Sequence, residues 1–468
     1  MNKRFFLLLM GILVLIYYPV YAAEGDVLWT STWNNPNYNA DDEARGITLD
    51  NTGNLYIVGV SSQGVNQEDL LIQKYDNYGN EVWTSTINVN GYDGGLTAIS
   101  YDKAGYIYAG GGADGEMFWL SQLDTDGLIK WTTKWNEVDS WSWGNDIDSG
   151  GNIVASSLGG ILVKYDSNGN LKWRISSSST ALILDVSIDE NYIYACGAID
   201  PSYNIWIGKF NLADGSEIWW KDINASANID QGINISYDSE GIYVCGSVNS
   251  TGIKGELWLS KHNKNDGGII WSKRWGTSGT AWAISLSDSH IYLTGSDNLS
   301  GNDDIVIYKF DKKGDEIFQI TYDGGGDDIG YGIFVDESEN FYVCGSQDKT
   351  GEGKNVWIRK YQGPEPIETE VNTGEIKIQG GERGYVNPDK GEIAKIHFKA
   401  NNTGKVKVEI YTLRGQLVWK DSKETDGNED YIQWACKNSE ERVVASGVYI
   451  IYVKGPGIKT TKKITILR

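Results

Sequence analysis

The sequence predicts an all-β protein: a seven-bladed β-propeller closed by the N-terminal strand, followed by an Ig-like β-sandwich. Three observations lead there. A unit of 41 to 52 residues recurs seven times, its marker aspartates or their equivalents running from Asp50 to Asp336, and that is the length of a four-stranded propeller blade. The last unit lacks its fourth strand, while an orphan strand stands ahead of the first. Beyond about residue 375 the repeat stops and shorter alternating strands take over. The composition agrees, because 57 Gly, 19 Trp and 28 Tyr against 7 Pro suit aromatic strands joined by tight turns.

The chain opens with a segment expected to be removed. Lys3 and Arg4 precede an apolar run from Phe5 to Tyr18, and Val20-Tyr21-Ala22 offers small residues at a cleavage site. Residues 1–22 therefore read as a secretory signal peptide. No later stretch is long and apolar enough to span a bilayer, so no membrane span is expected after cleavage. The formal charge is −22, and −24 without Lys3 and Arg4. Such a chain repels phosphate backbones, which excludes nucleic acid as an expected partner. Cys196, Cys245 and Cys344 share one repeat position with Val58, Gly110, Ser156 and Thr294. They and Cys436 read as buried fillers rather than disulfides.

The propeller is expected over residues 23–362. In each unit the first strand ends at the marker residue, as in Ile47-Thr-Leu-Asp50, and a turn leads to a second strand such as Leu55-Tyr-Ile-Val-Gly59. The third strand carries Leu71, Ile161, Trp206, Trp258 or Trp357 and ends near a Lys-Tyr-Asp motif. A turn with Gly at positive φ leads to a fourth strand with Trp83, Trp131, Trp173, Trp219, Trp271 or Phe318. The seventh unit stops at Lys360-Tyr361-Gln362, and Gly25-Asp-Val-Leu-Trp29 supplies the missing strand. Closure of this kind removes open sheet edges.

The repeated Gly-x-x-x-Trp ending resembles the tryptophan-docking repeats of quinoprotein-like propellers. The whole unit is similar to a bacterial seven-bladed β-propeller repeat family, over residues 24–362. The resemblance implies a fold and little about activity. WD40 Gly-His and Trp-Asp pairs are absent, as is the sialidase Asp-box. A quinoprotein dehydrogenase is disfavoured because no Cys-Cys pair is present.

Residues 363–375, with Gly363-Pro-Glu-Pro366, read as a linker. Residues 376–468 carry short alternating strands in the amount an Ig-like sandwich needs. Val448, Ile450 and Tyr452 share one strand face and are expected to point inward. Asn387-Pro388, Ile410-Tyr-Thr-Leu-Arg-Gly-Gln-Leu-Val418, Trp434, Ala445-Ser-Gly-Val-Tyr449 and Lys462-Lys-Ile-Thr-Ile-Leu-Arg468 occur in that order. In this order they resemble the FlgD-type Ig-like domains of secreted bacterial proteins, which overlap with type IX secretion sorting domains. One departure is Ala435-Cys436, where that family usually shows Asp-Gly. The resemblance implies export or surface attachment, with the secretion or attachment machinery as partner through Lys462, Lys463 and Arg468.

Chemistry is sparse. His262, His290 and His397 fall in three unrelated places, and HExxH, GxSxG and Walker motifs are missing. Lys74, Lys164, Lys209, Lys261, Lys309 and Lys360 recur at one repeat position, with Gln122 in the second unit. Such regularity points to a packed stem whose ammonium reaches a turn acid. Asp323-Gly-Gly-Gly-Asp-Asp328 offers carboxylates and carbonyls of the kind Ca²⁺ takes. It makes Asp327 and Asp328 the metal candidates, although the spacing matches neither an EF-hand nor an RTX repeat. No other cofactor is expected.

Positions that vary between repeats are where a repeat protein carries its site. Five residues before each marker stand Arg45, Thr97, Trp143, Leu184, Ile233, Trp282 and Tyr331, with Ser287 as the sixth marker. Loops nearby add Tyr38, Tyr92, Trp141, Asp230, Asp327 and Asp328. The candidate ligand site is therefore Arg45, Tyr92, Trp141, Trp143, Trp282 and Tyr331, a set suited to a polysaccharide or a protein. The same aromatics also suit a plug in the channel. Two function classes follow: an exported, non-catalytic recognition or scaffold protein, or a secreted polymer-acting enzyme using loop carboxylates such as Asp41-Asp42 and Asp303-Asp304.

Overall fold

The computed structural model describes residues 24–38, 40–63, 68–88, 94–113, 117–135, 141–179, 181–200, 202–250, 254–299, 301–364, 374, 376–379 and 385–468. The expected signal peptide, most of the expected linker, and Tyr92 lie outside the described residues.

The marker aspartates cap the turn that follows each unit's first strand. Asp50 Oδ1 accepts from the backbone N–H groups of Thr52 (2.8 Å) and Asn54 (3.0 Å), and Asp148 and Asp336 do the same in their units. The Ser287 hydroxyl fills this role in the sixth repeat, taking His290 N–H at 3.0 Å. These short polar side chains satisfy turn amides that have no ladder partner.

Each capped turn joins the first two strands of an antiparallel meander. In the first repeat the strands are Asp42–Leu49, Leu55–Ser62, Glu68–Tyr75 and Glu81–Ile87, paired in that order. The second, third and fourth repeats form four-stranded sheets in the same way. The fifth and sixth run together as one seven-stranded sheet. They share a continuous strand, Ile269–Leu286, which pairs first with Gly255–His262 and then with His290–Asn298. The seventh sheet consists of Ile329–Val335, Phe341–Lys349 and Gly353–Tyr361, with Val27–Trp33 as its fourth strand. That pairing is antiparallel and runs from Val27 opposite Tyr361 to Trp33 opposite Val356. At its end Gly25 N–H donates to Gln362 O and Gln362 N–H to Asp26 O, both at 2.8 Å.

None of these sheets closes on itself. They meet through side chains instead. Each first strand packs beside the first strand of the next repeat, and Ile329–Val335 packs against Asp42–Leu49. Apolar clusters fill the gaps between neighbouring sheets, as where Tyr56, Val58 and Ile72 meet Leu96, Ile107 and Trp119. The four cysteines are all buried and unpaired.

Outer-strand tryptophans fasten each sheet to the next. Trp131 lies on Gly169 of the following turn, where φ is +80° and a Cβ would come within 2.8 Å of the ring. Its Nε1 donates to Ser167 O at 3.1 Å. Trp83 reaches Thr125 O and Trp173 reaches Leu212 O in the same way. Trp29 does so across the chain ends, to Asn77 O at 3.1 Å. The recurrent lysines serve the same turns: Lys74 Nζ donates to Thr125 O and Lys164 Nζ to Leu212 O. Gln122, the exception in sequence, donates to Ser167 O at 3.1 Å. The third-strand position thus carries a long donor aimed at a turn oxygen, a backbone carbonyl in four repeats and a side-chain oxygen in the other three. The acid expected in that role appears only in places, as in Lys164–Asp148 at 2.8 Å and Lys261–Glu240 at 2.7 Å.

The C-terminal part holds two sheets. Ile376–Gln379, Ala394–Lys399 and Glu429–Trp434 form one, while Leu417–Thr425, Gly404–Thr412, Gly447–Gly455 and Ile458–Ile466 form the other in that order. One core of its own lies between them, around Trp434, Phe398, Ile410 and Val453. The expected inward face of the Gly447–Gly455 strand is corrected by one residue: Tyr449, Ile451 and Val453 are buried, and Val448, Ile450 and Tyr452 are half-buried on the outside. Both faces of that strand are apolar, so alternation alone did not choose between them. Cys436, at the departure from the Asp-Gly pattern, takes φ +55° and so makes a left-handed turn. Lys462, Lys463 and Arg468 are exposed, and Arg468 pairs with Asp389 at 3.1 Å.

Candidate binding site

The first strands converge on one cavity of about 660 Å³. Arg45, Thr97, Trp143, Leu184, Ile233, Trp282 and Tyr331, one from each repeat, all line it, and Trp141 joins them. Five of the six candidate ligand residues thus come together, and the sixth, Tyr92, lies outside the described residues.

Local packing fixes each ring. Trp141 lies over Gly94 and Gly112, where a Cβ would fall 2.1 and 2.7 Å from the indole. Trp282 and Tyr331 meet edge to face, centroids 5.4 Å apart at 61°, a favoured geometry for aromatic pairs. The Nε1 atoms of Trp143 and Trp282 are buried and have no hydrogen-bond partner. Arg45 is held by Glu43 at 2.9 Å and donates to Gly94 O at 2.8 Å. Lys354 bonds the other oxygen of Glu43 at 3.0 Å. Both cations are therefore ion-paired through one carboxylate.

Deeper in, the lining is polar. Asp185 Oδ2 accepts from Asn234 Nδ2 (2.6 Å) and Ile235 N–H (3.0 Å). Asp146 Oδ2 accepts from Ile188 N–H at 2.8 Å, and Asn234 Oδ1 from Ile284 N–H at 2.9 Å. These bonds satisfy inner-edge amides of the neighbouring sheet. Burial pushes the Asp146 carboxyl up to about 6 and that of Asp185 up to about 8. Sequence reasoning missed both. A signal existed one residue past the chosen positions, where Gly46, Ala98, Gly144, Ala283 and Gly332 stand but the fourth and fifth repeats carry Asp185 and Asn234.

The loop acids have other work. Asp230 accepts from the N–H groups of Ala225, Ser226 and Asn249, and Asp328 from those of Gly324 and Asp348. Asp327 accepts from Asp303 N–H at 3.0 Å. Asp327 and Asp328, the expected metal candidates, thus clamp loop backbone. Among the described residues no group of three or more His, Cys, Asp or Glu is arranged to hold a metal ion. Tyr38 is exposed and does not line the cavity. His262 is buried against Ser260 Oγ and Gly267 O, and burial lowers its ring to about 4. His290 pairs with Glu339 far along the chain from either of the others.

Residues 385–467 match the family model described as the secretion system C-terminal sorting domain. No curated protein matches the chain. Among solved structures the chain is similar to the WD40 β-propeller domain of Doa1, with a TM-score of 0.50 and 13% identity, over 72% of this chain and 96% of that one. At that identity the likeness concerns the fold alone. The chain thus joins a β-propeller fold to a C-terminal domain of the type IX sorting class. That domain implies dealings with a secretion machinery and a secreted or cell-surface destination.

Proposed function

We propose that the protein is an exported, non-catalytic recognition or scaffold protein that binds a polymer or protein at the aromatic mouth of its cavity. In this reading residues 1–22 are cleaved as a signal peptide. Residues 23–362 form a seven-bladed ring closed by the Val27–Trp33 strand, 363–375 form a linker, and 376–468 form a FlgD-type Ig-like domain for export or surface attachment. Support for the ring comes from the four-strand meander of every repeat and from the packing of Ile329–Val335 against Asp42–Leu49.

One observation carries the binding reading. The positions that differ most between repeats, Arg45, Trp143, Trp282 and Tyr331, line one cavity together with Trp141. A face built only for folding would repeat, as the docking tryptophans do. The enzyme alternative draws no comparable support, since Asp42, Asp327 and Asp328 are engaged with backbone N–H groups.

The test screens the full secreted chain against soluble polysaccharides and protein ligands, alongside Trp143→Ala and Trp282→Ala. The expected result is binding that either substitution weakens by about tenfold or more, on the scale of an anchor ring lost from an interface, with little change in melting temperature. Melting that drops sharply in both variants, with binding intact, identifies the rings as a plug and rejects the reading.

A further inference from the structure

Two carboxylates in the cavity lack a counter-charge. Asp146 and Asp185 have backbone N–H groups and one amide as hydrogen-bond partners. No lysine, arginine or histidine among the described residues is ion-paired with either. Elsewhere buried or half-buried acids of the repeats do find cations: Asp148 has Lys164 at 2.8 Å, Asp303 has Lys254 at 2.5 Å and Asp238 has Lys312 at 2.8 Å. Buried acids without one, such as Asp42 and Asp230, lie at strand starts and accept from the N–H groups of adjoining loops. Buried charge is ordinarily paired, and a buried acid without a cation holds its proton until one arrives. Here the space beside the unpaired acids is an open cavity.

Its walls suit a cation. Trp141, Trp143, Trp282 and Tyr331 present aromatic rings, whose faces attract ammonium groups. Arg45 is the one cation among the lining residues, and it is ion-paired with Glu43. Residues 23–375 hold 22 basic and 52 acidic side chains, a formal −30, whereas residues 376–468 hold 17 and 11. A field of that sign draws cations toward the repeats.

Depth narrows the choice. Asp185 lies one residue beyond Leu184 and Asp146 three beyond Trp143 along their strands, about 3 and 10 Å at strand rise. The charge must therefore travel on a slender apolar stem past the indoles. Lysine has a flexible four-carbon stem and a compact point charge, whereas arginine carries a wide planar fork that seeks two free oxygens. Asp185 Oδ2 already receives two donors. We infer that the cavity takes a lysine side chain presented by a partner protein, its stem along Trp143 and Trp282 and its ammonium toward Asp185 and Asp146. This rests on the binding reading above and names its ligand.

The test uses a short Gly/Ser peptide with one central lysine, its Nζ-acetylated twin, its arginine twin, and a free-amine glucosamine oligomer, each titrated into the full chain. The lysine peptide is expected to bind at least about tenfold more tightly than the acetylated twin, a difference of about 1.4 kcal/mol. Asp146→Asn should remove most of that preference and leave the melting curve in place. Asp185→Asn serves as a second variant, scored only if it melts as the parent does. Equal affinity for the acetylated twin, tighter binding of the arginine twin, preference for the amine oligosaccharide, or displacement by Ca²⁺ alone overturns the inference while the cavity remains a binding site. No binding by any of the four probes also overturns it, and the wider screen with Trp143→Ala then decides the binding reading separately.

Discussion

The same turn carbonyl often receives two side chains. Thr125 O takes Trp83 and Lys74, Ser167 O takes Trp131 and Gln122, and Leu212 O takes Trp173 and Lys164. The turn glycine beneath leaves room for the indole, since a Cβ on Gly215 would approach Trp173 to 2.9 Å. Substitutions of Trp173 separate the two contributions. Trp173→Phe keeps the ring and loses the N–H bond, costing about 1 kcal/mol. Trp173→Ala loses both and costs about 2–4 kcal/mol, below the range for a fully buried ring because this one is half-buried. Denaturant melts of the two variants check the order; equal losses would leave the hydrogen bond without a measurable part. At this scale the sequence shows that tryptophan, lysine and glycine recur, and recurrence alone marks them as structural. It does not show that the tryptophan of one repeat rests on the glycine of the next, because that contact spans about forty residues and depends on how sheets stack. The mouth residues were legible for the opposite reason, being irregular. Asp185 escaped because its position reads as a slot for small side chains, and only the packed structure reveals its bonds to Asn234 and Ile235.

Among the strands, Val27–Trp33 has the largest consequence. It is the outer strand of a sheet whose other members lie more than three hundred residues later. Removing residues 23–33 bares the edge of Gly353–Tyr361 and strips Trp29 from its place beside Tyr342 and over Gly79. The shortened protein is expected to lose its single cooperative unfolding transition and to aggregate, as bare edges do. Calorimetry and light scattering check this; a single transition at the parent temperature counts against it. This strand was readable in the sequence because strands can be counted, and one was missing at one end and surplus at the other. The continuous strand Ile269–Leu286 was not, because Gly276-Thr-Ser-Gly279 looks like a loop; it is a bulge with φ +72° at Gly276, and pairing resumes at Gly279 on both sides.

Across the whole molecule, the C-terminal part has its own core and its own two sheets. Truncation after Gln362 should therefore leave the repeats folded, with the parent's ligand binding, and should abolish delivery to the surface or the medium in a host with type IX machinery. Fractionation of cells carrying both forms checks it, and equal delivery of the two forms would remove the sorting role. Order along the chain was legible here from motif sequence alone, whereas the inward face of Gly447–Gly455 was not, since Val448-Tyr-Ile-Ile-Tyr-Val453 is apolar on both sides.

The junction at Gln362 has a mechanical consequence. The strand Gly353–Tyr361 leads directly into the linker, and it lies between Val27–Trp33 on one side and Phe341–Lys349 on the other. A tether at the far end of that linker pulls this strand along its own length. The hydrogen bonds to both neighbours then bear the load in parallel, in shear, instead of opening one after another like a zipper. A protein held at a surface by its C-terminus and dragged by flow or by a bound partner thus takes the strain on a strand gripped from both sides.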